Sequence, residues 1–428
     1  MVPLTPHVSP HFRSFFMIDR LDPIQVLKRF LPLAQFVSVD IEFTGLNTVH
    51  DSFPKYFDTV DLRFQQAKEV VNTFAVVQLG LCLFIDENCL DEDDGVTSNE
   101  HPATAKQTCR HSHSTNASSS LIAIPMSLLI RPSTGTFTCQ ASSIRFLADR
   151  GQFDFNELFR NGLPSKTVGS QVLLMLSESK VPLVMHNGLL DAMFLVRTFM
   201  EPLADSLPEF KSQCRRLLPN IYDSKLICSK SEYLRSKFAS FWLEKVYEQA
   251  NTDELFKDKP GIKIHESFDE KVSQHHDAAF DAYMTGVVFA RLGSYIQAQN
   301  AEVAEQTDSW IVENVDWGST KIETFANRIC LNRCILHLDI NSDQPACFHG
   351  VLKVCINEGT AARVFTSHIV DIIGPIINKE RIKILWEDDR YAYAIIGAHL
   401  HDGLSSIAAA VNKSCIKAKS HFRVEPFQ

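Results

Sequence analysis

The chain has 428 residues, 45% of them hydrophobic and 22% charged. That suits two or three domains with a buried core, and it excludes a wholly disordered, collagenous or membrane-spanning polypeptide. Lys and Arg number 42 against 51 Asp and Glu, a formal net charge of -9, so any dealings with nucleic acid must run through local patches or bound cations rather than global attraction.

Residues 36–42 alternate apolar and polar and predict a strand that ends in Asp40 and Glu42. Residues 74–85 predict a second, buried strand. Residues 86–120 hold the acidic run Asp91, Glu92, Asp93, Asp94 and then a Ser/Thr/Asn/His-rich stretch. This segment is too polar to pack and predicts a disordered insertion. Residues 121–131 predict another strand. Helical spacing begins at Ser142, a short apolar strand is expected at 181–185, and amphipathic helices at 188–199 and 280–296. The charged stretch 247–274, with Lys259-Pro260-Gly261, predicts a surface loop. Strands alternating with helices argue for an α/β domain over 11–345 with a mixed central sheet.

A smaller module is expected over 347–428. Strands at 351–357, 381–386, 391–396 and 422–426 and helices at 360–373 and 404–412 give the order βαββαβ, a ferredoxin-like module of the RNA-recognition type. Ten basic and eight acidic residues over 348–428 make it +2, leaving -11 for the rest. The small module is the phosphate-facing half on this count.

Eleven cysteines at uneven spacing, with no C-x-x-C pair, read as reduced thiols of a nuclear or cytoplasmic protein. No stretch reaches the roughly 18 apolar residues that span a bilayer, and residues 1–20 carry no signal-like apolar run. A soluble protein without a membrane partner is expected.

Asp40 and Glu42 lie two apart on a strand, so both side chains emerge on one face. Paired carboxylates repel, and protonation or a divalent cation relieves the repulsion. His186-Asn187-Gly188 leads into a helix with Asp191 in its first turn. His276 precedes a helix whose apolar face is interrupted by Asp281, a charge that calls for a partner or a metal.

The order D-x-E, then H-N-x-x-x-D, then H-x-x-x-x-D resembles the DEDD 3′→5′ exonucleases of the His subtype. The wording around it is similar to the poly(A)-specific ribonuclease family of deadenylases: FVSVDIEFTGL at 36–46, QLGLC at 78–82, QASSIRFL at 140–147, FDFN at 153–156, HNGLLD at 186–191, DSKL at 223–226, and 276–286. These fall in family order across about 250 residues, on the length scale of a single large catalytic domain. The resemblance implies a ribonuclease-H-like exonuclease domain followed by the RNA-recognition-type module. It implies that Asp40, Glu42, Asp191 and Asp281 hold two Mg²⁺ ions, replaceable by Mn²⁺, for two-metal hydrolysis that releases 5′-nucleoside monophosphates. His276 would be the general base. Phe43 and Phe146 would contact the 3′-terminal nucleotides and Lys225 the RNA backbone, with core aromatics and a surface lysine as the plainer readings. Trp386 matches a tryptophan that stacks on the 7-methylguanosine cap; the plainer reading is a packed tryptophan. His186 would support Asp191 or the walls of the site.

The implied activity is shortening of poly(A) or short 3′ tails. The alternatives are 3′ trimming of snRNA, snoRNA or piRNA precursors by the same chemistry, and a catalytically silent RNA- or cap-binding scaffold. The family also implies a homodimer. The chain departs from the family in having no room at 150–180 for a further small RNA-binding domain, which implies shorter-range RNA binding.

Overall fold

In the computed structural model the residues described are 22–46, 54–91, 120–133, 135–149, 153–266, 277–299, 320–359, 363–377, 382–397, 400 and 403–427. The chain divides into two compact units.

The larger unit is built on a mixed sheet. Its strands are β1 (Ala34–Phe43), β2 (Val76–Asp86), β3 (Ser120–Arg131), β4 (Leu183–Met185) and β5 (Ile221–Asp223). In space they run β3-β2-β1-β4-β5. β2 is antiparallel to β1 and β3, while β4 and β5 run parallel to β1. This 3-2-1-4-5 order with an antiparallel second strand is the ribonuclease-H-like arrangement expected from the sequence. β6 (Gly261–Ile264) lies parallel to β3, and β7 (Arg328–Cys330) parallel to β5. The helices used below are α1 (Pro23–Phe30), α2 (Val60–Thr73), α3 (Ala141–Asp149), α4 (Leu189–Leu195), α5 (Ser224–Lys230) and α6 (Ala278–Ala298).

The long helix α6 is buried almost all round, as its lack of a polar stripe dictates. It packs on β1 and β2 on one side and on the helix Leu243–Thr252 on the other. Two glycines let it lie this close. A Cβ on Gly80 of β2 would strike the Ala278 backbone carbonyl, and one on Gly286 would strike the Phe84 ring and the Ser38 hydroxyl. Ser38 in turn donates to the Ala282 carbonyl at 2.6 Å. Phe36 stacks on Phe84 at 4.7 Å and meets Phe289 edge-on at 5.0 Å, so the face of β1 that carries the even-numbered residues is the face of α6.

Two expectations change. Residues 247–274 are not simply a surface loop: 243–252 is a helix with Val246 and Ala250 buried, Phe256 is fully buried, and 261–264 is the strand β6. The charges sit on the outer side and hide three apolar anchors. Of the expected insertion at 86–120, Asp86 completes β2 and Asn88–Asp91 forms one helical turn; 92–119 lie outside the described residues. The ten described cysteines are free thiols, and among the described residues no helix is long and apolar enough to cross a membrane.

The smaller unit takes in Ser52–Val60 and Leu331–His337 besides Gln344–Gln428. Its elements are β8 (Val351–Ile356), α7 (Thr366–Ile377), β9 (Lys383–Trp386), β10 (Tyr391–Ile395), α8 (Leu404–Lys417) and β11 (Phe422–Pro426). The sheet order is β9-β10-β8-β11, antiparallel throughout. Leu352, Val354, Ala392, Ala394, Ile369, Ile373, Ala408 and Val411 form the core between sheet and helices.

Candidate active site

Asp40 and Glu42 stand on β1 opposite Gly80 and Gln78 of β2. Because Gly80 admits the first turn of α6, Asp281 reaches them. One carboxylate oxygen each from Asp40, Glu42 and Asp281 lies within 4.8 Å of the other two. Asp191 comes from α4 and its carboxyl accepts a hydrogen bond from the Ile41 backbone. It lies outside that tight group of three, yet near enough that its charge raises the pKa values of both Asp40 and Glu42.

The electrostatics are those of acids forced together. Burial is the largest cause and the neighbouring carboxylates the next, and together they hold Asp40 and Glu42 well above the usual carboxylate range. Asp191 is pushed up to about 7, again mainly by burial. Asp277, 7% exposed and next in sequence to His276, adds a further carboxyl and is also raised by burial. It caps α6 by accepting from the Ala279 N–H at 3.0 Å. It also accepts from Gln78 Nε2 at 3.0 Å, while that amide reaches Ser127 Oγ at 2.6 Å. In the sequence Gln78 and Asp277 are visible only as parts of family words; their pairing follows from the strand register that sets Gln78 opposite Glu42. Hard oxygen donors that repel one another and are only partly open to water fit a hard divalent cation.

His186 is held on both sides. Its Nε2 lies 3.0 Å from the Phe241 carbonyl and its Nδ1 2.8 Å from Ser224 Oγ. A carbonyl only accepts, so Nε2 carries the hydrogen and Nδ1 accepts from the serine hydroxyl. Desolvation lowers its pKa to about 4, which keeps the ring neutral. Both of its ring nitrogens are therefore engaged by the protein itself. His276 lies outside the described residues.

Phe43 stacks on the fully buried Phe194 of α4, with centroids 4.7 Å apart. Phe146, on α3, is 43% exposed. The loop after β1 is knitted to the approach to α3: the Gln140 N–H donates to the Thr44 carbonyl at 2.7 Å, Thr44 Oγ1 to the Thr138 carbonyl at 2.6 Å, and the Leu46 N–H to Gln140 Oε1 at 3.2 Å. Lys225 is half-buried in the first turn of α5, and its charge helps lower the pKa of His186. In the smaller unit, Trp386 is partly buried against the helix-side core and its indole N–H donates to Thr366 Oγ1 at 2.9 Å.

A mixed sheet with four acids at the end of its central strand defines a nuclease-type domain, and comparison with known proteins gives the family. The model of the CAF1 family ribonuclease matches residues 22–167 and 164–289. The chain belongs to the CAF1 ribonuclease family. It is 35% identical over 136 residues to the pre-piRNA 3′-exonuclease trimmer of Bombyx mori, covering 30% of this chain and 25% of that one. It is 27% identical over 271 residues to the human poly(A)-specific ribonuclease PARN, covering 60% of this chain and 37% of that one. The chain thus spans only 25–37% of the length of these relatives. A structure of S. pombe Pop2p in its Mg²⁺- and Mn²⁺-bound form is similar at a TM-score of 0.43 and 17% identity, over 69% of this chain and 94% of that one. The resemblance to poly(A)-specific ribonucleases read from the motifs is borne out.

Proposed function

We propose that the protein is a divalent-cation-dependent 3′→5′ exoribonuclease that shortens poly(A) or other short 3′ tails and releases 5′-nucleoside monophosphates. The observation that carries this reading is the convergence of Asp40, Glu42 and Asp281 within 4.8 Å at the end of the central strand. Asp40, Glu42, Asp191 and Asp281 would hold two Mg²⁺ ions, replaceable by Mn²⁺, which supply charge neutralisation at the scissile phosphate and a water of lowered pKa. His276 takes the proton of the attacking water, since an imidazole titrates near neutral pH. Phe146 offers a ring on which a terminal base stacks without regard to sequence. Phe43 is backed by Phe194 and lines the nucleotide's seat, and Lys225 offers a charge to an RNA phosphate.

The similarity to the Bombyx mori trimmer supports a second reading, trimming of the 3′ ends of small RNA precursors by the same chemistry. Oligo(A) and a small RNA with a 3′ extension, each labelled at the 5′ end, distinguish the two. Wild type should produce a ladder shortening from the 3′ end with Mg²⁺, and Asp40→Ala should lower the rate at least about 1,000-fold, the loss expected when transition-state charge stabilisation is removed. A 3′-phosphate should block the reaction. Wild type that releases no nucleotide from either RNA across a metal titration would end the proposal.

A further inference from the structure

Asp223 closes β5 and is fully buried. An ionised carboxylate in such a place is costly unless its oxygens are satisfied. Four backbone N–H groups satisfy them. Oδ1 accepts from Asn187 at 3.1 Å and Leu226 at 3.1 Å; Oδ2 accepts from Gly188 at 3.1 Å and Cys330 at 2.9 Å. A carboxylate has about four lone-pair sites, so this one is saturated by the backbone and has none left for a cation.

The donors come from three separate places: the turn between β4 and α4, the first turn of α5, and the end of β7. The first of these matters for chemistry. Asn187 is left-handed there, at φ 64°, and a Cβ on Gly188 would strike the Met185 side chain. Gly188 is the cap of α4, and Asp191 lies three residues on, in that helix's first turn. The side chain that fixes this turn therefore fixes where Asp191 begins its reach toward Ile41 and the other acids.

We propose that Asp223 is the positioning residue for Asp191: it acts as an anionic clamp that holds the Asn187-Gly188 turn and thereby sets the cation affinity of the site. This rests on the reading of Asp191 as a cation-holding carboxylate. Asp223→Asn has nearly the same shape, but its amide nitrogen would face two N–H donors and lose two of the four bonds. Asn187→Val tests the same turn from its other side, because a β-branched residue disfavours positive φ, whereas Asn187→Gly accepts it.

The readout is Mn²⁺ binding to the metal-free full chain by titration calorimetry, with no RNA present. Asp223→Asn and Asn187→Val should each weaken Mn²⁺ binding about 10- to 100-fold, as loss of an outer-shell partner does, with Asn187→Gly close to wild type. With oligo(A) and Mg²⁺ raised until it saturates each protein, Asp223→Asn should also lower kcat while leaving KM within about threefold, because a change in the chemical step alone does not alter substrate binding. If wild type binds Mn²⁺ and both Asp223→Asn and Asn187→Val bind it equally well, the clamp role is wrong while the cation site stands. If wild type itself binds none, the reading of the four acids falls, and the clamp with it.

Discussion

Replacing Asp191 by Asn should stabilise the metal-free protein at pH 7.5 and abolish its stabilisation by divalent cations. Burial lifts the Asp191 pKa from the ordinary 3.8 to about 7. At about 1.4 kcal/mol per tenfold change in proton affinity, that lift corresponds to an ionisation cost of about 4 kcal/mol. Asp191 keeps some contact with solvent, which screens part of this, so about 2 kcal/mol is the working figure. The sign follows from proton binding. Between pH 3.8 and about 7 the folded protein holds a proton on Asp191 that the unfolded chain has released, so stability falls as pH rises through that window. Asp40 and Glu42, also raised, act in the same direction. An amide in place of the Asp191 carboxyl keeps an oxygen for the Ile41 N–H and never ionises. Melting curves in EDTA should therefore show the variant more stable than wild type by a few °C at pH 7.5, by clearly less at pH 5, and equal to it only below about pH 3.8. Added Mg²⁺ should raise the wild-type melting temperature by linkage and leave the variant unmoved. A variant that is less stable than wild type at pH 7.5, or one whose gain persists unchanged at pH 5, would refute the reasoning.

Gly80→Ala should lower kcat at least about 100-fold, because a methyl at this position meets the Ala278 carbonyl and pushes Asp281 away from Asp40, undoing positioning worth that much; kinetics on oligo(A) together with circular dichroism would separate this from unfolding. Phe146→Ala should raise KM for oligo(A) about 5- to 100-fold with little loss of stability, since the ring is 43% exposed and one base stack is worth about 1–3 kcal/mol; unchanged KM would remove it from the substrate path. Trp386 is proposed as the seat of a 7-methylguanosine cap, so a cap analogue should quench tryptophan fluorescence in wild type and less so in Trp386→Phe; absence of quenching at millimolar analogue would leave Trp386 as a packing residue held by Thr366.

The fold was legible where period and sequence pattern agree. β1 shows its acids and its alternation together, and α6 announces itself by a long apolar run whose only charges are Asp281 and Arg291. The region 243–264 was not legible, because its surface charges outnumber three apolar anchors whose partners lie far away in sequence. The four acids were legible as motifs, but their coupling was not. That Gly80 opposite Asp40 is what admits α6, and that Gln78 opposite Glu42 is what holds Asp277, are facts of register. Asp223 was visible only as part of a family word. Its four bonds run to backbone groups from 3 to 107 residues away, and backbone donors leave no trace in residue identity.

The small unit shows why an RNA-recognition-type order of elements does not by itself give a stacking platform. Tyr391 and Tyr393 share one face of β10, the place where such modules offer rings to bases. Here Phe57 lies on Tyr393 with centroids 3.7 Å apart and an interplanar angle of 27°, and Phe427 meets the same ring edge-on at 4.9 Å. Phe348, Ile335 and Leu336 complete the cover. Lys353 Nζ sits 4.4 Å from the Tyr391 centroid. A base that stacked on Tyr393 would first have to displace Phe57, and exposing a phenylalanine costs about 1.5–3 kcal/mol. Stacking returns about 1–3 kcal/mol per base. The exchange is close to neutral, so the aromatic face of this sheet gains nothing by opening to RNA. What the unit offers to phosphate is then its slight positive charge, and under the proposed function the grip on the RNA 3′ end would fall to Phe146, Phe43 and the cations that the acid cluster of the larger unit would hold. The net charge of -9 is compatible with that proposal, because the acids that most oppose an incoming phosphate are the ones proposed to recruit its counter-ions.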